Sequence, residues 1–237
     1  MKSKTKISTK ILIAFCLIFL IASCDKSNNE TVNYDGYTYQ TVQIGNQIWM
    51  KENLRTSKYN NGNSIPSDQD VDWAHGTTGA YAIYKDSLFP DKVKNEAKYG
   101  KLYNWHAVNS GNLAPKGWHV ATKLDWEILD KFLGNSIAGK KLKTKDTWEY
   151  DKDAIGTNET RFSALPGGNR SWGGDTFYDM GKVAYFWTNS IVTCTDTIPP
   201  IKYPLSIAMS WDAKNITPLY CYRPNFGMSV RCVKDQK

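Results

Sequence analysis

The chain has 237 residues and a formal net charge of +7 at pH 7. Four lysines, Lys2, Lys4, Lys6 and Lys10, precede the apolar run of residues 11–21, with no acidic residue among them. If they belong to an export signal, 26 of the 30 basic residues remain against 23 acidic ones, which gives little support to nucleic-acid binding. A mean hydropathy of −0.51 excludes a polytopic membrane protein, and an aromatic content of 13% argues against a disordered chain.

The N-terminal segment has the pattern of a secretory signal. The apolar run is shorter than the ~20 residues that a membrane-spanning helix needs. It leads into Ile21-Ala22-Ser23-Cys24, which resembles a bacterial lipobox, in which the thiol of the cysteine accepts the lipid. We expect residues 1–23 to be a lipoprotein signal peptide and Cys24 to be lipidated. The alternative is an ordinary secretory signal that ends near a cysteine.

Lipidation would anchor the exported protein to the bacterial cell envelope. We expect the outer membrane, on its periplasmic or surface face. Asp25 follows the cysteine and resembles an inner-membrane retention signal of enteric bacteria, so the choice of membrane stays open. Residues 24–32 read as a lipidated cysteine and a disordered polar tether, and residues 33–237 as one domain.

Strands open the predicted domain. Residues 37–44 and 47–50 predict a hairpin around the turn Gly45-Asn46. Residues 56–80 predict a long surface loop, and residues 81–84 a short strand. Residues 99–108 have apolar spacing of helical type.

The second predicted helix spans residues 122–133. Thr122 is a natural N-cap, Asp125 can complete a capping box, and Gly134 can end the helix. Its apolar face is predicted to comprise Trp126, Leu129, Phe132 and Leu133.

Strands are predicted again after this helix. They cover residues 183–193, a half-buried strand at 205–211 and a final strand at 228–233. The order of strands, two central helices and strands predicts a single α+β domain with long loops.

Three cysteines remain once Cys16 leaves with the signal and Cys24 carries lipid. In an oxidising compartment Cys194, Cys221 and Cys232 allow one disulfide and leave one thiol. Their pairing cannot be read from spacing. None forms a C-x-x-C motif, so zinc binding and thioredoxin-like chemistry have no support.

A calcium site is the one metal hypothesis that the sequence offers. Asp68, Asp70 and Asp72 alternate in the long loop, although the glycine and glutamate that an EF-hand needs are Trp73 and Gly79. A solvated acidic loop is the simpler interpretation. The three histidines lack metal-ligand spacing.

Two tryptophans lie in loops where burial is least assured. Trp172 is in the glycine-rich stretch of residues 169–175, which ends at Asp175, and Trp73 is in the acidic loop. A surface tryptophan beside a carboxylate can stack on a sugar or anchor a protein partner. Trp172, Asp175 and Trp73 are therefore candidate ligand-binding residues.

Six segments occur in an order that resembles a known family. They are residues 35–39 (D-G-Y-T-Y), 45–54 (G-N-Q-I-W-M-K-E-N-L), 99–105 (Y-G-K-L-Y-N-W), 115–120 (P-K-G-W-H-V), 162–168 (F-S-A-L-P-G-G) and 227–235 (G-M-S-V-R-C-V-K-D). Together they resemble the Fibrobacter succinogenes major paralogous domain, which is common on exported lipoproteins and has no established activity. That family is similar in turn to the C-type-lectin-like group that includes formylglycine-generating enzymes. The resemblance therefore implies a C-type-lectin-like α+β domain.

The chain departs from the family where a cysteine usually precedes the proline of the W-H segment, since this position is Ala114. If that cysteine normally pairs with the one in the last strand, Cys232 has lost its partner. The resemblance then favours a Cys194–Cys221 disulfide. Copper oxidase chemistry of the formylglycine-generating type would need a second cysteine near Cys221, and none is close in sequence.

These observations together predict a lipid-anchored, monomeric, non-catalytic protein that binds a glycan or another protein and needs no cofactor, calcium aside. The alternatives are an uncharacterised envelope enzyme related to formylglycine-generating enzymes and a purely structural surface protein.

Overall fold

Strands form most of the regular structure. The computed structural model describes residues 30–149, 155–195 and 199–236, so the predictions for residues 1–23, Cys24 and most of the tether concern residues outside these ranges. The strands are β1 Thr31–Tyr34, β2 Tyr37–Ile44, β3 Gln47–Met50, β4 Tyr81–Ala82, β5 Leu102–Tyr103, β6 Trp118–Val120, β7 Gly167–Arg170, β8 Phe177–Met180, β9 Val183–Cys194, β10 Ile201–Ser210, β11 Thr217–Leu219 and β12 Cys232–Lys234. The α-helices are α1 Lys92–Tyr99, α2 Trp105–Asn109, α3 Lys123–Leu133 and α4 Ala138–Leu142.

The strands form two five-stranded sheets and one small pair. The first sheet has the order β1-β2-β3-β12-β6, and the second has the order β11-β10-β9-β7-β8. Strands β4 and β5 make the small pair. Neighbours are antiparallel, apart from the parallel contact of β7 with β9. The described part of the chain is therefore an α+β fold in which strands dominate.

The predicted hairpin is confirmed. Strands β2 and β3 pair from Thr41 and Met50 to Ile44 and Gln47. Gly45 has a φ of 58°, a left-handed conformation that glycine adopts without steric cost. The tether was predicted to reach residue 32, but Thr31 already pairs with Gln40 in the sheet. The domain therefore begins earlier in the chain than predicted.

Helix α3 confirms the predicted caps and corrects one side chain. The Thr122 side chain accepts from the Asp125 amide, the reciprocal bond from the Thr122 amide is present, and Gly134 ends the helix at a φ of 93°. Phe132, however, is 63% exposed. It lies on the outer side of the helix, so the buried face is narrower than predicted.

The predicted helix over residues 99–108 is wrong in its first half and correct over residues 105–108, which lie in α2. Tyr99 ends α1, and Gly100, at a φ of 78°, reverses the chain into the short strand β5. Asn104 then caps a separate short helix, α2, by accepting from the Ala107 amide. The spacing missed the glycine break, and it missed α1 because residues 92–99 have few apolar side chains. The described chain thus has four α-helices where two central ones were predicted.

Residues 204–209 of strand β10 are buried on both faces, which corrects the prediction of a half-buried strand. Ser206 and Ala208 are covered as fully as Leu205 and Ile207. The small residues therefore make room for packing on the second face and do not meet solvent.

An aromatic cluster fills the core between the two large sheets. Trp126 of α3 lies 5.0 Å from Trp49 of β3, 5.3 Å from Phe186 of β9 and 5.8 Å from Phe162, measured between ring centroids. These four rings connect the first sheet, the helix and the second sheet.

Arg231 is buried beside this cluster and is 1% exposed. Its guanidinium lies 4.3 Å from the Phe162 ring centroid. Its Nη1 donates to the carbonyls of Met50, Lys51 and Phe162 at 2.7–2.9 Å, and Nε and Nη2 both donate to Asn53 Oδ1. Burial lowers its pKa, but an arginine keeps its charge at neutral pH. One buried cation therefore ties together three separate chain segments.

Replacing Arg231 should destabilise the fold strongly. In Arg231→Met the four buried oxygens lose their donor, and we expect a loss of about 3–5 kcal/mol in the free energy of unfolding. Urea titration followed by tryptophan fluorescence measures it. The matched control is Lys182→Met, which removes an exposed ion pair with Glu149 and should cost under about 0.5 kcal/mol. Equal stability of the two variants would contradict the structural role of Arg231.

His119 joins the end of the chain to the start of α3. Its Nδ1 is 2.7 Å from Asp235 Oδ1, and its Nε2 is 3.0 Å from Asp125 Oδ2. The hydrogen bond to Asp125 raises the pKa of His119, with a further contribution from Asp235. The folded state therefore favours the imidazolium.

The stabilisation that His119 contributes should be lost as the pH rises through its folded-state pKa. A raised folded-state pKa gives stabilisation that is complete below the unfolded pKa of about 6.5 and is lost above the folded pKa. We expect His119→Gln to destabilise the protein more at about pH 5 than at about pH 9, by urea titration at each pH. A penalty that does not change with pH would contradict this.

Candidate functional site

Arg170 gathers three of the predicted site residues at one end of the second sheet. The guanidinium is 2% exposed; its Nε donates to Asp68 Oδ2 at 3.2 Å and its Nη2 to Asp175 Oδ1 at 2.7 Å. It also lies 4.2 Å from the Trp73 ring centroid. Arg170 therefore joins the acidic loop to the glycine-rich loop.

Trp73 is a core residue, and its interpretation as a surface platform is wrong. It is 4% exposed, since Arg170 covers its ring. Its Nε1 donates to the Asn225 carbonyl, and Asn225 Nδ2 donates back to the Trp73 carbonyl at 2.7 Å. These bonds fix the acidic loop to residues 220–226.

The three alternating aspartates do not converge. Asp68 is paired with Arg170, Asp70 accepts from Ser67, and Asp72 accepts from the amide of His75. Each of the three carboxylates therefore has its own hydrogen-bonding partner. Across residues 30–149, 155–195 and 199–236, no three His, Cys, Asp or Glu side chains are grouped to hold a metal ion. The geometry gives the calcium interpretation of this loop no support.

Trp172, by contrast, is partly exposed. The loop that carries it is closed by the Ser171 amide, which donates to the Thr176 carbonyl at 2.8 Å. The guanidinium carbon of Arg223 lies 4.1 Å from the Trp172 ring centroid, a cation–π contact between two loops. This contact fixes the orientation of the indole at the surface.

The loop of residues 220–226 is anchored by a disulfide. Cys221 is bonded to Cys194 at the end of β9, with Cα atoms 5.9 Å apart, which is the pairing that the resemblance favoured. Cys221 has a φ of 66°, an unusual conformation for a residue other than glycine. Cys232 is free and buried, and burial raises the pKa of its thiol.

A polar pair lies next to these loops. Asp179 Oδ2 accepts from the Tyr185 hydroxyl at 2.8 Å and from Asn169 Nδ2 at 3.4 Å. Burial and the hydrogen bond to Asp179 raise the pKa of Tyr185. Burial and the charge of Asp179 also raise the pKa of Tyr222, whose ring is 5.1 Å from that of Phe226.

We call this surface the loop face. It comprises Trp172, Asp179, Tyr185, Tyr222, Arg223 and Phe226, and Asp175 lies exposed near its edge. Partly exposed aromatic rings supply apolar contact, while a carboxylate and a guanidinium supply hydrogen bonds. Such a surface can bind a ligand with both apolar and hydroxyl-bearing faces.

Sequence reasoning found Trp172 and missed most of the loop face. Tyr222 and Arg223 directly follow Cys221, so an aromatic stretch anchored by a disulfide was the available signal. Asp179 and Tyr185 gave none, because their contact depends on how β8 and β9 lie against β7.

Residues 42–234 match the model of the Fibrobacter succinogenes major domain. This match covers most of the chain, and the protein belongs to that family. No curated protein and no solved structure matches the chain. In the part of the chain that the structure describes, no helix has the length and apolarity to cross a membrane.

Reduction should destabilise the protein through the Cys194–Cys221 bridge. The bridge closes a segment with a sequence separation of 27, for which chain entropy predicts a loss of about 3 kcal/mol in the free energy of unfolding. Urea titration with and without dithiothreitol measures this loss. The double variant Cys194→Ala/Cys221→Ala should start less stable and not respond to reductant. If the double variant lost as much stability on reduction as the wild-type protein, the loss would not come from this bridge.

Proposed function

We propose that the protein is a lipid-anchored cell-envelope lipoprotein whose folded domain binds a glycan through the loop face. One observation carries this proposal: the partly exposed indole of Trp172 is held by Arg223, and Arg223 directly follows Tyr222, which lies beside the Asp179–Tyr185 pair. Sugar rings present apolar faces that stack on indole and hydroxyls that bond to carboxylates and guanidinium groups.

The anchor rests on the sequence. Cys24 is the acceptor in the lipobox-like segment, and only a short stretch separates it from the first strand at Thr31. We propose that the domain therefore sits close to the outer membrane, where envelope or environmental glycans are within reach.

We further infer a C-type-lectin-like fold. Two antiparallel sheets with long connections, a capped helix packed between them and a loop surface at one end support this inference. The inferred fold would place the ligand in the long loops, which agrees with the position of Trp172.

Binding without catalysis is the proposed role, because the polar groups of this surface already have partners within the protein. Asp179 accepts from Tyr185, and Asp175 pairs with Arg170. We propose that the domain acts as a monomer, and that ligand binding needs no calcium because the loop aspartates are separately engaged.

Removing the indole should abolish most glycan binding without unfolding the domain. We expect Trp172→Ala to weaken affinity about tenfold or more, the usual effect of losing a central aromatic anchor. Affinity electrophoresis against bacterial and plant polysaccharides, followed by calorimetry with an oligosaccharide of the retained polymer, measures it.

The control is Phe132→Ala, which removes an aromatic ring that is 63% exposed on α3, outside the loop face. It should leave glycan affinity unchanged, and circular dichroism should show both variants folded. Equal affinities of Trp172→Ala and the wild-type protein would remove the loop face from the proposal.

A protein ligand is the second candidate. Leu124, Ile128 and Phe132 are spaced four residues apart along α3 and are 63%, 44% and 63% exposed. An exposed apolar stripe of this kind is typical of interaction surfaces. Loss of a partner with Phe132→Ala but not with Trp172→Ala would favour this candidate.

A further inference from the structure

A charged cleft lies away from the loop face. It has a volume of 230 Å³, and among the residues that line it are Lys51, Asn53, Arg55, Glu96, Lys98 and Ser163. These residues come from the segment after β3, the last turn of α1 and the loop before β7. The volume is below the about 300 Å³ of a typical drug-sized site, so the cleft suits a small ligand or one charged end of a larger one.

The acidic residues of the cleft already have partners. Glu96 Oε1 is 3.3 Å from Lys101 Nζ and accepts from the Tyr37 hydroxyl at 3.2 Å. Glu52 Oε2 accepts from the Gln40 amide at 2.9 Å. Glu96 is therefore ion-paired within the protein, whereas Glu52 is held by a neutral backbone donor.

The cations of the cleft have no such partners. Lys51 Nζ donates to the neutral Gln40 Oε1, and Lys98 Nζ lies 4.9 Å from the Tyr99 ring centroid. Within the described residues, neither these lysines nor Arg55 forms an ion pair with a carboxylate. The buried Arg231 lies behind Asn53 and also donates only to neutral oxygens. The cleft therefore carries an excess of positive charge.

Arg55 is the cleft residue whose hydrogen-bonding groups are left unused. Its guanidinium lies 4.4 Å from the Tyr37 ring centroid, which fixes its orientation. Its Nε is buried without a hydrogen-bond partner, and its side chain donates to no acceptor in the described ranges. The two Nη groups are not buried in this way, so they keep donors that a bound acceptor in the cleft can use.

We propose that this cleft is a binding site for a carboxylate, which Arg55 grips through its guanidinium with Lys51 and Lys98 nearby. A planar carboxylate matches the planar fork of an arginine. A dianionic phosphate fits less well, because Glu52 and Glu96 lie in the same wall. The ligand class is a small organic acid or the acidic end of a saccharide or peptide.

The test is an NMR titration of the intact ¹⁵N-labelled chain, observed at the Arg55 Nε–Hε signal and the amides of the cleft. The probes are acetate, glucuronate, glucose and inorganic phosphate, each at constant ionic strength against sodium chloride. We expect saturable shifts with acetate and glucuronate, weaker ones with phosphate and none with glucose. Shifts that match those in sodium chloride, or tighter binding of phosphate than of acetate, would overturn the proposal.

Variants locate the site. Arg55→Gln should weaken glucuronate binding about tenfold, since a charge-assisted bidentate contact is lost. Lys98→Met, on the exposed side of α1, should fold normally and weaken binding about threefold, the loss of one peripheral charge. Lys182→Met lies outside the cleft and should bind as the wild-type protein does. Unchanged affinity in both cleft variants would overturn the proposal.

This site is independent of the proposed glycan surface. Trp172→Ala should retain glucuronate binding in the cleft, whereas Arg55→Gln should retain binding of a neutral glycan at the loop face. The two proposals can therefore fail separately.

Discussion

The hydrogen bonds of the buried Arg231 guanidinium fix the arrangement of the fold. The guanidinium donates to backbone carbonyls after β3 and before β7, and it packs on the ring of Phe162. Burying a cation without a carboxylate partner is costly, so the surrounding oxygens must be held in place by the fold. The contacts of Arg231 hold the last strand, the first sheet and the loop before β7 in one arrangement.

That arrangement sets the position of both surfaces. Asn53, which accepts from Arg231, also donates to the Tyr99 carbonyl and so holds the end of α1 beside the charged cleft. At the end of β7, Arg170 holds the acidic and glycine-rich loops together in a similar way. Two buried arginines therefore fix the positions of both proposed binding surfaces.

Local signals predicted the parts of the fold that depend on neighbouring residues. The β2–β3 turn and the capping box of α3 follow from short motifs with direct hydrogen-bonding consequences. The long-range parts did not follow. The exposure of Phe132, the covering of both faces of β10 and the burial of Trp73 depend on what packs against each element. A tryptophan in a polar loop gives no sign that an arginine about a hundred residues later will cover it.

The same distinction applies to the candidate site. The glycine-rich loop singled out Trp172, but Arg223, which contacts its ring, belongs to a distant loop that the disulfide anchors. Asp179 and Tyr185 are brought together by the pairing of β7, β8 and β9. Glycan binding by the loop face is best tested with a glycan-array screen of the protein, with and without a chelator. We expect a hit that survives chelation, because the loop aspartates are each engaged elsewhere. No binding on the array, or binding that the chelator abolishes, would contradict the proposal.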